Sequence, residues 1–373
     1  MLLHKFLVAI LVPAMLMPLC SRAEPLYAAT FLPGVDFAPT GMNNAGQIVG
    51  FAGTGDSAVH AMLYSGGILS DLGSLGGKDS YANAINDAGA VTGSFVSASG
   101  EQHAFLYRHG NVLDLGAGTA GYGINAQGDV VGSKQTAEGM NGFVYSNGSL
   151  TELGNLGAGK NGFAASINDH GSIVGESGTG PSANGTPVHP FLYRKGALSD
   201  LGTLAGRDFN GATGINNAGQ VAGYSEGADG AMHAFLYQHG LMQDLGGFGG
   251  AELDIHDLNE HGTLVGTAST EEEGLIPFMN IGDALIDLNT LLDPALGWHI
   301  FSAYANNDLG QIVGYGCQGD TCGLVRLDLL SAVPEPGAAW LLFAGLLVIA
   351  GARQRRLDEG SVKKMRRQVF AMQ

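Results

Sequence analysis

Basic residues are scarce in this chain. Of 373 residues, 17 are Lys or Arg and 34 are Asp or Glu, and nine of the basic ones sit in the two terminal segments. Residues 24–333 hold 8 Lys plus Arg against 31 Asp plus Glu, a net charge of −23. Such a field repels phosphate backbones and anionic membrane surfaces, which excludes nucleic acid as a partner. Cysteine is scarcer still, with 3 in the chain: Cys20 in an apolar N-terminal run, and Cys317 and Cys322 in GCQGDTCG. Zinc-type Cys/His spacing, a phosphate-cradling Gly loop and a Ser-His-Asp order are all missing, so no cofactor is called for.

Glycine, by contrast, is abundant, with 61 residues, and much of it is periodic. An Asn, a Gly three residues on and a second Gly four residues later recur seven times, from GMNNAGQIVG at 41–50 to ANNDLGQIVG at 305–314. The anchors Asn43, Asn86, Asn125, Asn168, Asn216, Asn259 and Asn307 are spaced 43, 39, 43, 48, 43 and 48 residues apart. That period fits one four-stranded blade per copy. Within the second copy, SYANAIN, AVTGSFV, HAFLYRHG and NVLDLG each have strand length and end in Gly, Asn or a turn. Gly46, Gly89, Gly128, Gly171, Gly219, Gly262 and Gly310 stand where the first hairpin needs positive φ, and each Asn is expected to bond its own turn.

The third strand recurs as HAMLY (60–64), HAFLY (103–107), NGFVY (141–145), HPFLY (189–193), HAFLY (233–237) and IPFMN (276–280). Alternation makes its aromatics core, as in a sheet packed between two others. His60, His103, His189 and His233 head four of these strands; a blade apart from one another, they cannot share one metal ion, and strand-end packing is their expected role. The seventh copy lacks its own fourth strand. Residues 27–34, YAATFLPG, align with a fourth strand and its turn, placing Leu32 where Leu75 stands. Pairing that segment beside 324–328 closes a ring and removes exposed edges, whereas an open solenoid calls for polar caps that the sequence does not offer. The expectation is an all-β, seven-bladed propeller over 24–330. Cys317 and Cys322 flank one short turn and, in an oxidising compartment, read as a disulfide.

Function belongs where copies depart from their consensus. The loop 178–190 is lengthened, 270–274 is an acid run, and ELDIHDLNEH (252–261) crowds acids and His around one turn. Alternation puts Glu252, Asp254 and His256 on one face, a weak candidate for coordinating a hard cation through oxygen, although no ordered calcium-loop spacing is present. No catalytic residue is assignable, and a pair of carboxylates facing each other in space cannot be read from chain order.

Both ends read as addresses. Residues 1–23 carry Lys5, an apolar run over 6–19 and Ser21-Arg22-Ala23, which suits a signal peptide cleaved after Ala23. Over 331–356, Val333-Pro334-Glu335-Pro336 precedes an apolar helix at 338–352 and the cluster Arg353, Arg355 and Arg356; a basic cytoplasmic tail follows at 357–373. By hydropathy alone the run equally suits a permanent transmembrane anchor.

The HAFLY, DLGxLGG and INxxGQIVG elements resemble the extracellular HAF-repeat family over nearly all of 27–326. The C-terminal segment is similar to the PEP-CTERM sorting signal of Gram-negative bacteria. These resemblances imply export by signal peptidase, transient inner-membrane insertion, processing by an exosortase at the Pro-Glu-Pro element, and a ring left at the cell surface or in the extracellular matrix. They imply no general catalytic activity. Two functions follow as expectations: a non-catalytic structural or binding module for an exopolysaccharide or envelope protein, and alternatively a polysaccharide-active hydrolase or lyase on the same scaffold.

Overall fold

The computed structural model describes residues 26–330, apart from 56, 158–160, 181–186, 207–208, 271 and 273. The expected signal peptide, the expected sorting residues Val333, Pro334, Glu335, Pro336, Arg353, Arg355 and Arg356, the apolar run at 338–352 and the basic segment at 357–373 therefore lie outside the described residues. No described helix is long and apolar enough to cross a membrane.

Seven four-stranded antiparallel sheets account for the described chain. After β1 (Tyr27–Phe31), blade 1 comprises β2 (Ala38–Met42), β3 (Ile48–Gly53), β4 (Val59–Ser65) and β5 (Ile68–Asp71), and blade 2 comprises β6 (Gly77–Ile85), β7 (Val91–Ser97), β8 (Gln102–Arg108) and β9 (Asn111–Ala117). Blade 3 follows with β10 (Thr119–Ile124), β11 (Val130–Thr136), β12 (Gly139–Ser146) and β13 (Ser149–Gly154), then blade 4 with β14 (Gly162–Ile167), β15 (Ile173–Gly178), β16 (Val188–Arg194) and β17 (Ala197–Asp200). Blade 5 is β18 (Asn210–Ile215), β19 (Val221–Glu226), β20 (Met232–Gln238) and β21 (Leu241–Gly246); blade 6 is β22 (Gly249–Leu258), β23 (Leu264–Thr270), β24 (Leu275–Ile281) and β25 (Ala284–Asp287). Two short 3-10 turns lead to blade 7, made of β26 (Trp298–Asn306), β27 (Ile312–Gln318), β28 (Thr321–Leu329) and the returning β1.

The closure is in the expected place. β1 pairs antiparallel with β28 from Tyr27 opposite Leu329 to Phe31 opposite Val325, and Leu32 N–H extends the ladder to the Leu324 carbonyl at 2.9 Å. The first strands contact one another around the whole ring, β26 against β2 included. There is no single core. Seven apolar layers form instead, one between each pair of neighbouring blades. The third-strand aromatics Phe105, Phe143, Phe235 and Phe278 are fully buried in these layers, as alternation on a doubly covered sheet requires.

Each recurring Asn does two jobs. Its Oδ1 accepts N–H groups of its own turn, as at Asn168 from His170 and Ser172, both 3.0 Å. Its Nδ2 donates across the blade boundary to the carbonyl of the next Asn: Asn43 to Asn86, then to Asn125, Asn168, Asn216, Asn259 and Asn307, and back to Asn43, at 2.9–3.3 Å. The sequence reading anticipated the first role and missed the second. All seven side chains are buried, between 2% and 8% exposed, so every bond in the cycle is made away from water, where a lost partner is costly.

Both recurring glycines have a steric reason. The turn Gly has φ between 71° and 79° in all seven copies. The second Gly faces a β-bulge that recurs in every first strand, three residues before the Asn. A Cβ on Gly50, Gly93, Gly132, Gly175, Gly223, Gly266 or Gly314 would overlap a carbonyl oxygen of that bulged strand.

Asn168→Ala removes three hydrogen bonds and leaves the Asn216 carbonyl short of one donor, a cost of about 3 kcal/mol. Asn168→Asp keeps the acceptor but points a carboxylate at a carbonyl, and is expected to cost more at neutral pH. Urea unfolding measures both; a loss below about 0.5 kcal/mol, ordinary for surface changes, would contradict the cycle.

Candidate functional site

Because the first-to-second-strand turns all lie at one end of the ring, the residue after each Asn forms a rim around the channel. The seven are Asn44, Asp87, Ala126, Asp169, Asn217, Glu260 and Asp308. Rim side chains capture the N–H of the preceding blade's rim residue: Asn44 N to Asp87, Ala126 N to Asp169, Asp169 N to Asn217, Asn217 N to Glu260, Glu260 N to Asp308 and Asp308 N to Asn44. Ala126 has no acceptor to offer, so the relay lapses there. The Asn44 amide bridges Asp87 at 2.9 Å and Asp308 at 2.7 Å, and the Asn217 amide reaches Asp169 at 2.8 Å.

Inside the rim lies a funnel of about 370 Å³, floored by Met42, Ile85, Ile124, Ile167, Ile215 and Leu258. The seventh floor residue is Asn306, 4% exposed, in place of an aliphatic side chain. Next to it, where the other copies carry Gly, Ala or Ser, stands Asp257. Asp257 accepts the Asn306 and Leu258 N–H groups, each at 2.9 Å. Burial pushes the Asp257 carboxyl up to about 6, against the opposing pull of those two bonds, and Asp308 adds repulsion. Glu260 is raised as well, by burial first and then by Asp308 and Asp169, while the Asn217 N–H and His170 oppose. Sequence reasoning treated Asp257 as a turn residue; the structure puts it in β22, on the funnel wall.

Glu252 and Asp254 alternate with buried Leu253 and Ile255 on β22, as expected. His256 continues the alternation, exposed like Glu252 and Asp254, and as the bulged residue between Ile255 and Asp257 it also brings its ring 5.8 Å from Tyr304 of the next blade. Among the described residues no group of three or more His, Cys, Asp or Glu is placed to hold a metal ion directly.

The four strand-heading histidines do more than pack. Nδ1 of His60, His103, His189 and His233 meets Asp71, Asp114, Asp200 and Asp244 of the same blade's DLG at 2.8–3.0 Å. The constant separation of 11 residues was the available signal. In blade 3 Asn141 and Glu152 substitute for the pair at the same separation, 3.1 Å apart, and Lys134 joins Glu152. At His233 burial lowers the pKa, but Asp244 and Asp229 more than offset it and the net shift is upward. Cys317 and Cys322 stand directly opposite in the β27–β28 hairpin and are joined by a disulfide.

Two other departures lie at blade seams. Tyr224 Oη donates to Glu176 Oε2 at 2.9 Å, over Gly211, whose missing side chain leaves room for both. Burial raises the pKa of each; the pair's hydrogen bond draws Glu176 back down, while Glu176 and then Asp254 raise Tyr224 further. Exposed Phe209 lies 5.8 Å from the Tyr224 ring. At the seam of blades 7 and 1, a cavity of about 470 Å³ is lined by Phe51, Tyr304, Tyr315 and Asp36 over small Ala38, Ala52 and Gly53.

These features define a seven-bladed β-propeller with an acid-rimmed funnel at one end. No family model and no curated protein matches the chain. Among solved structures it is similar to the β-propeller domain of the Trilobed protease from Pyrococcus furiosus, a domain with an open velcro topology, at 8% identity and TM-score 0.52 over 83% of this chain and 97% of that one. It is also similar to a puromycin-hydrolyzing peptidase of Mycobacterium tuberculosis, at 15% identity and TM-score 0.49 over 81% of this chain. The chain spans about half of that peptidase's length, 52%. TolB from Acinetobacter baumannii matches at 10% identity and TM-score 0.45, over 66% of this chain and 62% of that one. At such identities the likeness concerns fold alone.

The Asp257 shift has a definite sign. Its folded value of about 6 lies above the ordinary unfolded value of about 3.9, so its contribution to stability is complete below the unfolded value and is lost as pH rises through the folded one. Between about pH 4 and 6, unfolding free energy from urea titration is expected to fall less steeply in Asp257→Asn than in the parent. Identical slopes would contradict the assignment.

Proposed function

We propose that this chain is an exported HAF-repeat propeller, sorted through its PEP-CTERM-like segment, that serves as a non-catalytic structural or binding module in the cell envelope or exopolysaccharide matrix. The seam cavity is the observation that supports the reading best. Phe51, Tyr304 and Tyr315 line one cavity with Asp36, and aromatic rings beside a carboxylate suit a sugar ring, which has a C–H face and a hydroxyl edge. The net charge of −23 over 24–333 directs the choice of glycan to neutral or amino-sugar polymers, because polyuronates are repelled.

The hydrolase or lyase reading has one feature in its favour, the half-buried Glu176 with its pKa raised by burial and its bond from Tyr224. A single carboxylate of this kind suits a general acid, yet the reaction needs a second one facing it at roughly 5–10 Å. Binding is the reading that the lining residues support without an added partner.

Affinity electrophoresis in gels containing neutral, amino-sugar and polyuronate polysaccharides tests both. Retardation is expected in the first two gels, and Tyr304→Ala with Tyr315→Ala should weaken it at least tenfold without releasing new reducing ends. Absence of binding to any glycan, envelope protein or cell fraction would contradict the proposal. Reducing ends that vanish in Glu176→Gln would favour the enzyme.

A further inference from the structure

The funnel at the Asn end is a separate feature from the aromatic seam, and its chemistry is one-sided. Donors there are already committed. The seven Asn Nδ2 groups are each given to a carbonyl of the next blade, the amides of Asn44 and Asn217 to rim carboxylates, and six rim N–H groups to rim side chains. Acceptors remain in surplus. Glu260 receives one N–H, from Asn217, although an ionised carboxylate has room for about four donors.

The charge is just as unbalanced. Asp87, Asp169, Glu260 and Asp308 share the rim with Asp257 beneath them, and no Lys or Arg among the described residues forms an ion pair with any of the five. Two histidines are the basic groups nearby: His170 acts on Glu260, and His261 Nε2 meets the Asp308 carbonyl at 3.2 Å.

A second and independent observation fixes the position. Asn306 interrupts an otherwise aliphatic floor; its Nδ2 donates to the Thr263 carbonyl at 2.9 Å, while no protein group donates to its buried Oδ1. A buried amide oxygen without a donor carries a cost of about 1–3 kcal/mol, and nothing in the blade architecture demands it, since six copies use a hydrophobic residue there. It sits beside Asp257, the other departure in that layer, through the bond from Asn306 N. The two departures form a polar notch between blades 6 and 7, below Glu260 and Asp308.

We propose that this notch binds a cation that donates hydrogen bonds, either an aquated divalent metal ion or a primary ammonium group. Both present N–H or O–H donors together with positive charge, the two properties the funnel lacks. The described residues place no three ligands for direct coordination, so a metal ion enters with its water shell, and its waters supply the donors to Asn306 Oδ1, Asp257, Glu260 and Asp308.

Isothermal titration of the full-length chain with calcium chloride, magnesium chloride, ethylammonium chloride and tetramethylammonium chloride, at constant ionic strength, tests this. Tetramethylammonium carries the charge without a donor. Near one-to-one binding of calcium, magnesium or ethylammonium, at least tenfold tighter than any tetramethylammonium binding, is expected. Which of these salts binds identifies the source, metal or amine. Glu260→Gln combined with Asp308→Asn, which keep the rim acceptors, should weaken binding at least tenfold, and Asn306→Leu should weaken it while restoring the aliphatic floor. Asp320→Asn, at the β27–β28 hairpin tip, should leave it unchanged, and circular dichroism melts confirm that each variant is folded. Tetramethylammonium binding equally well, no binding by any salt, or an equal loss in Asp320→Asn would overturn the proposal.

Discussion

One hydrogen bond, repeated seven times, ties this molecule together: the amide of each turn Asn given to the carbonyl of the next. It links local to global order, because the same side chain that shapes a hairpin through Oδ1 joins that hairpin to its neighbour through Nδ2. Seven blades satisfy all seven amides only if the last reaches the first, and Asn307 donates to the Asn43 carbonyl at 3.2 Å. The cycle and the β1–β28 ladder close the ring at two depths. Such a buried polar network specifies one geometry because a partly satisfied version is costly.

The consequences run outward. Holding the turns in register places the following residues as a rim and the preceding ones as a floor, so funnel chemistry is written in positions that the fold leaves free. Six copies spend the floor position on an aliphatic residue that adds to the inter-blade layers; blade 7 spends it on Asn306. Where the structural relay has an acid, as at Asp169, Glu260 and Asp308, the carboxylate stabilises its neighbour's N–H and contributes charge to the channel mouth. Structure and binding chemistry therefore share residues at the rim and separate only at the notch.

The blade count, the strand order, the closing segment and the positive-φ glycines were legible because each leaves a mark at fixed spacing along the chain. Cross-blade features were not. The second role of Asn and the approach of His256 to Tyr304 depend on contacts between copies, which no single repeat encodes. The bulge that forces Gly at 50, 93, 132, 175, 223, 266 and 314 lies within each blade but is marked by no residue type of its own. The His–Asp pairs lie between these cases: their 11-residue separation was visible, and the compensated Asn141–Glu152 pair in blade 3 would have exposed it. Asp257 was misread because a turn consensus absorbed it, although Gly, Ala or Ser at six equivalent positions marked it as a departure.

Cross-linking across the closure tests the account most directly. Thr30 and Arg326 stand opposite each other in the β1–β28 ladder, within reach of a disulfide, so the double variant Thr30→Cys with Arg326→Cys is expected to join the two ends of the ring within one molecule under mild oxidation, with a raised Tm. Peptide mapping that finds no such bond, or finds it only between molecules, would contradict a closed ring.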